Sequence, residues 1–262
     1  MGLMIHCGAK FADKDEVFGV DTPDSTQTHY PIPHKSLIEK TESMIEKINY
    51  QIAESSFALN KGGQQMFGIY ELKGEKEEYN TVVGIRNSHD KTFACGAVLG
   101  NRTFVCDNLA FTGEYVFSKK HTVSILEVLD EKVEELFQSV PHYENYQNNL
   151  LHHFKKIKVS KFEARSFVVE MAKQKVLPSS RILPVIKEWE KPSFKEFEQD
   201  GYSMFRLKQA FTSVMKRNKN IFTTSKSTVK LNQKLVEFIG EISTESYNEI
   251  KSINQEPIQN VA

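Results

Sequence analysis

Five residues in one stretch of this chain carry groups that could move a proton or attack a carbonyl: His89, Asp90, Cys106, Asp107 and His121. An imidazole beside a carboxylate can work as a general base, with Asp90 or Asp107 orienting the His89 ring. A thiol becomes a nucleophile when a nearby cation or imidazole lowers its pKa, and Lys120 or His121 could do this for Cys106 across a sheet. That reading is a hydrolase-like enzyme. The plainer reading makes Asn87-Ser88-His89-Asp90 a hairpin turn whose Asn and Asp bond their own backbone, and Cys106 a small buried apolar residue.

A second set of candidates could bind instead of react. From Gly201 to Val236 the charged residues are Arg206, Lys208, Lys216, Arg217, Lys219, Lys226, Lys230 and Lys234, with no Asp or Glu among them. Arg206, Lys208, Lys216, Arg217 and Lys219 would neutralise phosphates, while an exposed member of Tyr202, Phe205, Phe211 and Phe222 stacks on bases. Lys155, Lys156, Lys158 and Lys161 could extend that surface. Against this stands an ordinary solvated helix face whose aliphatic stems cover a core.

His6, Cys7, His29, His34, His89, Cys106 and His121 have separations that match no finger or H-E-x-x-H pattern, so no metal site is expected. Walker, Rossmann, nucleophile-elbow and kinase motifs are absent, and no cofactor is expected. Three cysteines without a C-x-x-C pair argue for a reducing compartment. The opening residues turn polar too soon for a signal peptide, and no apolar run approaches the roughly 20 residues of a membrane helix. A cytoplasmic protein with no membrane partner is the expectation. Basic and acidic residues balance at 34 each, so nothing global draws the chain to a polyanion.

These residues need elements to position them. Residues 1–35 read as an arm, extended at Tyr30-Pro31-Ile32-Pro33-His34 because each proline restricts itself and its predecessor. Ser36 and Glu39 form a capping-box pattern that opens a helix with Leu37, Met44, Ile45, Ile48 and Ile52 on its apolar face, stopping before Gly62-Gly63. The period then changes to two, and strands are predicted over residues 66–73, 79–86, 92–99, 102–109 and 114–117, with tight turns at Lys73-Gly74-Glu75 and Gly100-Asn101. Further capping patterns start at Ser124, Ser160 and Ser193, and Leu231, Leu235, Phe238, Ile239 and Ile242 give a last core-facing stripe.

The order of several motifs carries a family resemblance. Pro31-Ile32-Pro33-His34, Arg86-Asn87-Ser88-His89-Asp90-Lys91, Phe104-Val105-Cys106-Asp107-Asn108 and His121-Thr122 together resemble the phage and plasmid-like proteins grouped as domain of unknown function 932. Ile5-His6-Cys7-Gly8-Ala9 and Lys230-Leu231-Asn232 are similar to that group as well. In this comparison Asn87, Ser88, Asn108, Pro33 and His34 are motif residues without an assigned role. The resemblance implies a protein of phages, plasmids or integrated mobile elements, and no reaction.

The sequence therefore predicts an α+β protein: arm (1–35), helix plus antiparallel sheet of about five strands (36–122), helical region sharing the sheet's core (123–255), and tail (256–262). Helix, meander and helix in that order is similar to single-strand-annealing recombination proteins, at the level of fold alone. The expected function is non-enzymatic binding of DNA or RNA by an accessory protein of a mobile element. The alternatives are the hydrolase-like site and a surface that binds a host protein such as a defence factor.

Overall fold

Asp13 and Glu16 form a capping box that opens a short helix, α1 (Lys14–Phe18), directly after a short strand, β1 (Lys10–Ala12). Both lie in the segment that the sequence predicts to be an irregular arm. The computed structural model describes residues 9–74, 79–103, 108–199, 201–215 and 221–254. β1 pairs antiparallel with Phe57–Leu59, so this part of the arm belongs to the sheet. After the Pro31 to Pro33 stretch the chain enters α2 (His34–Lys47), with Pro33 as an N-cap that gives no side-chain hydrogen bond. The expected Ser36/Glu39 capping box does not form, because both residues are already inside the helix.

α2 is shorter than its apolar spacing suggests. Ile48 caps it and Asn49 takes a left-handed backbone, φ 60°, which stops the helix and redirects the chain. Residues that continue the helical spacing by coincidence, Ile52 among them, belong to β2 (Ile52–Asn60). β3 (Gln65–Leu72), β4 (Tyr79–Ser88), β5 (Cys95–Thr103) and β6 (Asn108–Lys119) follow. The order β1-β2-β3-β4-β5-β6 makes a six-stranded open antiparallel sheet, one strand more than the five expected. β5 runs straight through Gly100-Asn101, so the hairpin expected there is absent. Cys106 and Asp107 lie outside the described residues, as does Glu75.

Register decides what faces what. Gly68 stands opposite Phe57 on one side and Ile85 on the other, which puts Phe57, Met66, Tyr70, Val83, Ile85 and Asn87 on one face. A Cβ at Gly68 would lie 2.8 Å from Ile85 Cγ1 and 3.0 Å from Phe57 Cδ1, so its neighbours fill the space that a side chain would need. α2 lies on this face: Tyr70 donates to Glu42 Oε1 at 3.5 Å. After β6 comes α3 (Val123–Gln138), which packs on α2, with Lys40 bridging to Asp130 at 2.8 Å and Lys47 to Glu134. Its N-cap is Thr122, one residue before the helix, so the box predicted at Ser124 also does not form.

Contacts divide the chain into two compact units. The first is Met1–Arg102, Thr112–Val140 and Lys219–Ile221; the second is Thr103–Phe111, Pro141–Asn218 and Phe222–Ala262. Beyond the ends of β5 and β6 that it shares, the described part of the second unit is mostly helical: α4 (Val140–Lys156), α5 (Lys161–Lys173), a 3₁₀ turn (Ser179–Arg181), α6 (Ile182–Glu190), α7 (Glu196–Gln199), α8 (Met204–Met215), α9 (Ile221–Ile242) and α10 (Thr244–Asn254). Ser160 and Glu163 form the capping box expected of them, whereas Ser193 bonds Glu188 instead. Phe167 of α5 stacks on Phe238 of α9 at 4.7 Å and meets Phe211 of α8 edge-on at 5.7 Å. Of the predicted stripe, Leu231, Leu235, Phe238 and Ile239 are buried, while Ile242 at the end of the helix is half-buried.

Gly68 gives a direct test of the register. Gly68→Val is expected to lose about 2 to 3 kcal/mol of unfolding free energy by denaturant titration, because β-branched bulk must displace Phe57 and Ile85 together. A change near zero would mean that those side chains do not fill the position.

Candidate functional site

Strand alternation carries Asn87 and His89 onto the face that α2 covers, and this brings the arm against the end of β4. Asn87 is fully buried. Its amide donates to Ile32 O at 2.7 Å and to His34 Nδ1 at 2.9 Å, while its carbonyl oxygen accepts from His121 Nε2 at 2.7 Å. His89 Nε2 donates to the same Ile32 carbonyl at 2.9 Å, His34 Nε2 to Gly63 O at 2.9 Å, and His29 Nε2 to His89 O at 3.2 Å. The His34 and His89 rings stack at 4.0 Å with 2° between their planes. The His29 and His121 rings sit 5.3 Å apart. A backbone bond from Tyr30 N to His121 O at 2.9 Å ties the arm to the start of α3.

The polarity of these bonds fixes the proton positions. A carbonyl oxygen only accepts, so the Nε2 atoms of His29, His34 and His89 carry hydrogen, and the Asn87 amide must point its nitrogen at Ile32. His34 Nδ1 then has to be a bare acceptor. A second proton on His34 would face an NH₂ group, and turning Asn87 over would break its bonds to both Ile32 and His121. Burial pushes the His34 and His121 rings down to about 4, and burial also lowers the His89 ring. All three are neutral at pH 7. Within the described residues, His89 Nδ1 is buried and makes no hydrogen bond.

Of the residues that sequence reasoning marks for catalysis, His89 and His121 do converge on this cluster. Asp90 turns away from it. Burial tends to raise the Asp90 carboxyl, but hydrogen bonds from Thr92, Gln65 and Lys61 outweigh that and hold it well below the usual carboxylate range. Thr92 N at 3.1 Å and Gln65 Nε2 at 2.8 Å are two of those donors, and Lys91 beside it takes φ 63°, so the turn runs two residues later than Asn87-Ser88-His89-Asp90 suggests. Ser88 closes that turn by bonding Phe93. His34 and Asn87, motif residues without a role in the sequence, are central to the cluster, and Pro33 caps the helix that His34 starts. His29 carries no sequence signal beyond its place before Tyr30-Pro31. Asn108 begins β6. Among the described residues, no group of three or more His, Cys, Asp or Glu is placed to hold a metal ion. Cys95, a buried free thiol, is pushed up to about 12 by burial.

The basic candidates separate in the second unit. α8 is buried along nearly its whole length, so Arg206 and Lys208, at 6% and 2% exposure, are not on a solvent-facing cationic surface. Arg206 donates from Nε to Trp189 O at 2.6 Å, from Nη2 to Glu190 O at 2.8 Å and from Nη1 to Gly201 O at 3.4 Å. Lys208 Nζ lies 5.7 Å from the Phe154 ring, and burial lowers its ammonium to about 8. Lys216, Arg217 and Lys219 lie outside the described residues.

A surface that the sequence names only as an extension is better placed. Residues 157–159 and 202–204 pair as a short antiparallel bridge, Val159 N to Tyr202 O at 2.8 Å and Met204 N to Ile157 O at 2.9 Å. This sets Tyr202, 39% exposed, beside a row of lysines. Lys161 Nζ lies 5.6 Å from the Tyr202 ring centre and Arg206 Cζ 4.8 Å from it, while Trp189 packs against the same ring at 5.0 Å. Lys158 Nζ reaches within 3.5 Å of where a Gly201 Cβ would stand. Gly201 itself has φ 61°, a backbone that glycine adopts without strain. Lys156 is exposed nearby in sequence, and Phe162, next to Lys161, is 80% exposed. Among the described acidic residues nearby, Glu163 lies in the Ser160 capping box and Glu190 pairs with Arg165.

Fold and site together define an α+β protein in which a neutral histidine cluster fastens an arm to a sheet, with a helical unit that carries a lysine-bordered tyrosine. The family described as Domain of unknown function (DUF932) matches residues 25–236, a span holding both features, and the chain belongs to that family. No curated protein and no solved structure matches it. No helix among the described residues is long and apolar enough to cross a membrane.

Two outcomes follow from the cluster. Asn87→Ala leaves the His121 proton, the His34 nitrogen and one lone pair of Ile32 without their partner, and should cost roughly 2 to 4 kcal/mol by denaturant titration. Stability should also depend on acid. The folded pKa values of His34 and His121 lie below the ordinary 6.5. The unfolded chain therefore takes up protons first, and stability present above pH 6.5 is lost as the pH falls toward 4. Each ring can account for up to about 3 kcal/mol, read as a falling denaturant midpoint across that window.

Proposed function

We propose that the chain is a nucleic-acid-binding accessory protein of a phage, plasmid or integrated mobile element, and that it binds through the second unit, by the lysines around Tyr202. One observation carries this reading: an exposed aromatic ring held between cations on a fixed backbone bridge. Lys156, Lys158 and Lys161 are exposed and can meet phosphate; Arg206 and Lys208 are buried and have no part in phosphate contact. Lys216, Arg217 and Lys219 keep their place in the proposal on sequence grounds. The mobile-element setting rests on the motif resemblance. The hydrolase alternative draws no support from the histidines, whose Nε2 protons go to carbonyl or amide oxygens within the fold.

The test is binding of a fluorescent oligonucleotide followed by anisotropy over a range of salt. Phosphate contact by Lys156, Lys158 and Lys161 corresponds to a slope of about −2 to −3 in log K against log salt concentration. Reversing all three to Glu should weaken binding by more than about ten-fold and flatten that slope, whereas Lys208→Met should leave both unchanged. Absent or salt-insensitive binding by the native chain would overturn the proposal.

A further inference from the structure

Resting on that reading, the geometry points to single-stranded nucleic acid as the ligand class, with Tyr202 as the platform on which an unpaired base stacks. Phosphate contact alone does not distinguish a duplex from a single strand, since both present the same backbone charge. An aromatic face does. Bases in a duplex are already stacked on their neighbours, and only an unpaired base can lay its face on a side chain.

Tyr202 has the features such a platform needs. Its backbone is fixed on both sides, by the bridge to residues 157–159 and by Gly201, whose carbonyl accepts from Arg206. Its ring is backed by Trp189, which is buried at 1% exposure, and by an Arg206 side chain that three backbone carbonyls hold in place. Arg206 therefore cannot swing away to pair with a phosphate, and its charge stays beside the ring. Lys161 differs. It is exposed, it sits at the first turn of α5, and its ammonium lies over the ring, close enough to Glu190 for their charges to interact. An arriving base can take the place of that ammonium, leaving Lys161 free to follow the attached phosphate while Lys158 remains close to the Gly201–Tyr202 backbone. The ring's polar end matters little to stacking, so phenylalanine should serve nearly as well as tyrosine.

The experiment compares single-stranded DNA, single-stranded RNA and duplex DNA of matched sequence, each with native protein, Tyr202→Ala and Tyr202→Phe. The native chain should prefer one or both single strands to the duplex. Tyr202→Ala should lower single-strand affinity by about five- to a hundred-fold, leave duplex affinity and the salt slope unchanged, and Tyr202→Phe should restore it. To keep the test independent of any effect of Tyr202→Ala on folding, oligonucleotides carrying 5-iodouracil are photocrosslinked to the native protein and the adducts mapped by mass spectrometry, with the peptide containing Tyr202 expected among them. Equal affinity for duplex and single strand with Tyr202→Ala silent, or crosslinks only at other sites, overturns the stacking assignment but leaves salt-dependent binding standing. No binding of any oligonucleotide by the native chain removes both.

Discussion

Asn87 commits both amide hydrogens and its carbonyl oxygen in one buried place, to Ile32, His34 and His121. That triple commitment sets the proton positions around it. It fixes the amide's orientation, requires a bare Nδ1 on His34 and a proton on Nε2 of His121, and so favours uncharged imidazoles in surroundings that already penalise charge. The same bonds join four parts of the first unit: the proline-stiffened arm, the start of α2, the end of β4 and the entrance to α3. The β2–β3 turn joins through Gly63 and His34. An apolar residue at position 87 could fill the volume, but it could not specify which way the arm enters or in what register it lies.

How far this was legible in the sequence depends on the kind of signal. Period-two patterning located the β3 and β4 strands, and the apolar spacing of α9 identified its buried stripe. The Ser160 capping box formed because the residues after it are helical from the first turn. The boxes at Ser36 and Ser193 failed for a physical reason: the side chains of a capping pattern act only if the backbone leaves the helix at that residue, and Pro33 had already started one helix while Ser193 found Glu188. Asn49 ended α2 by adopting a positive φ, which no apolar periodicity reveals.

The candidate site was legible in its members but not in its roles. Polar residues at strand ends signalled something unusual, and His89 and His121 do meet. Turn chemistry accounts for Asp90 and Ser88, but Asn87 is one residue inside the strand, where alternation turns it inward. In the helical unit the acid-free segment suggested a solvated basic face. Burial of α8 inverted that inference for Arg206 and Lys208, whose charges are handled by backbone carbonyls and by the Phe154 ring. The exposed cations sit on the other side of the backbone bridge, at Lys156, Lys158 and Lys161, because the residues 157–159 and 202–204 pair across a separation in sequence that spacing alone could not foresee.

The central claim is that the cluster is neutral, with hydrogen on Nε2 and not on Nδ1. Histidine ring nitrogen shifts in a long-range nitrogen–proton spectrum report this directly for each ring, without any mutation. At pH 6 the account predicts the neutral Nε2–H pattern for His34 and His121. Imidazolium shifts, or an Nδ1–H tautomer at His34, would contradict it.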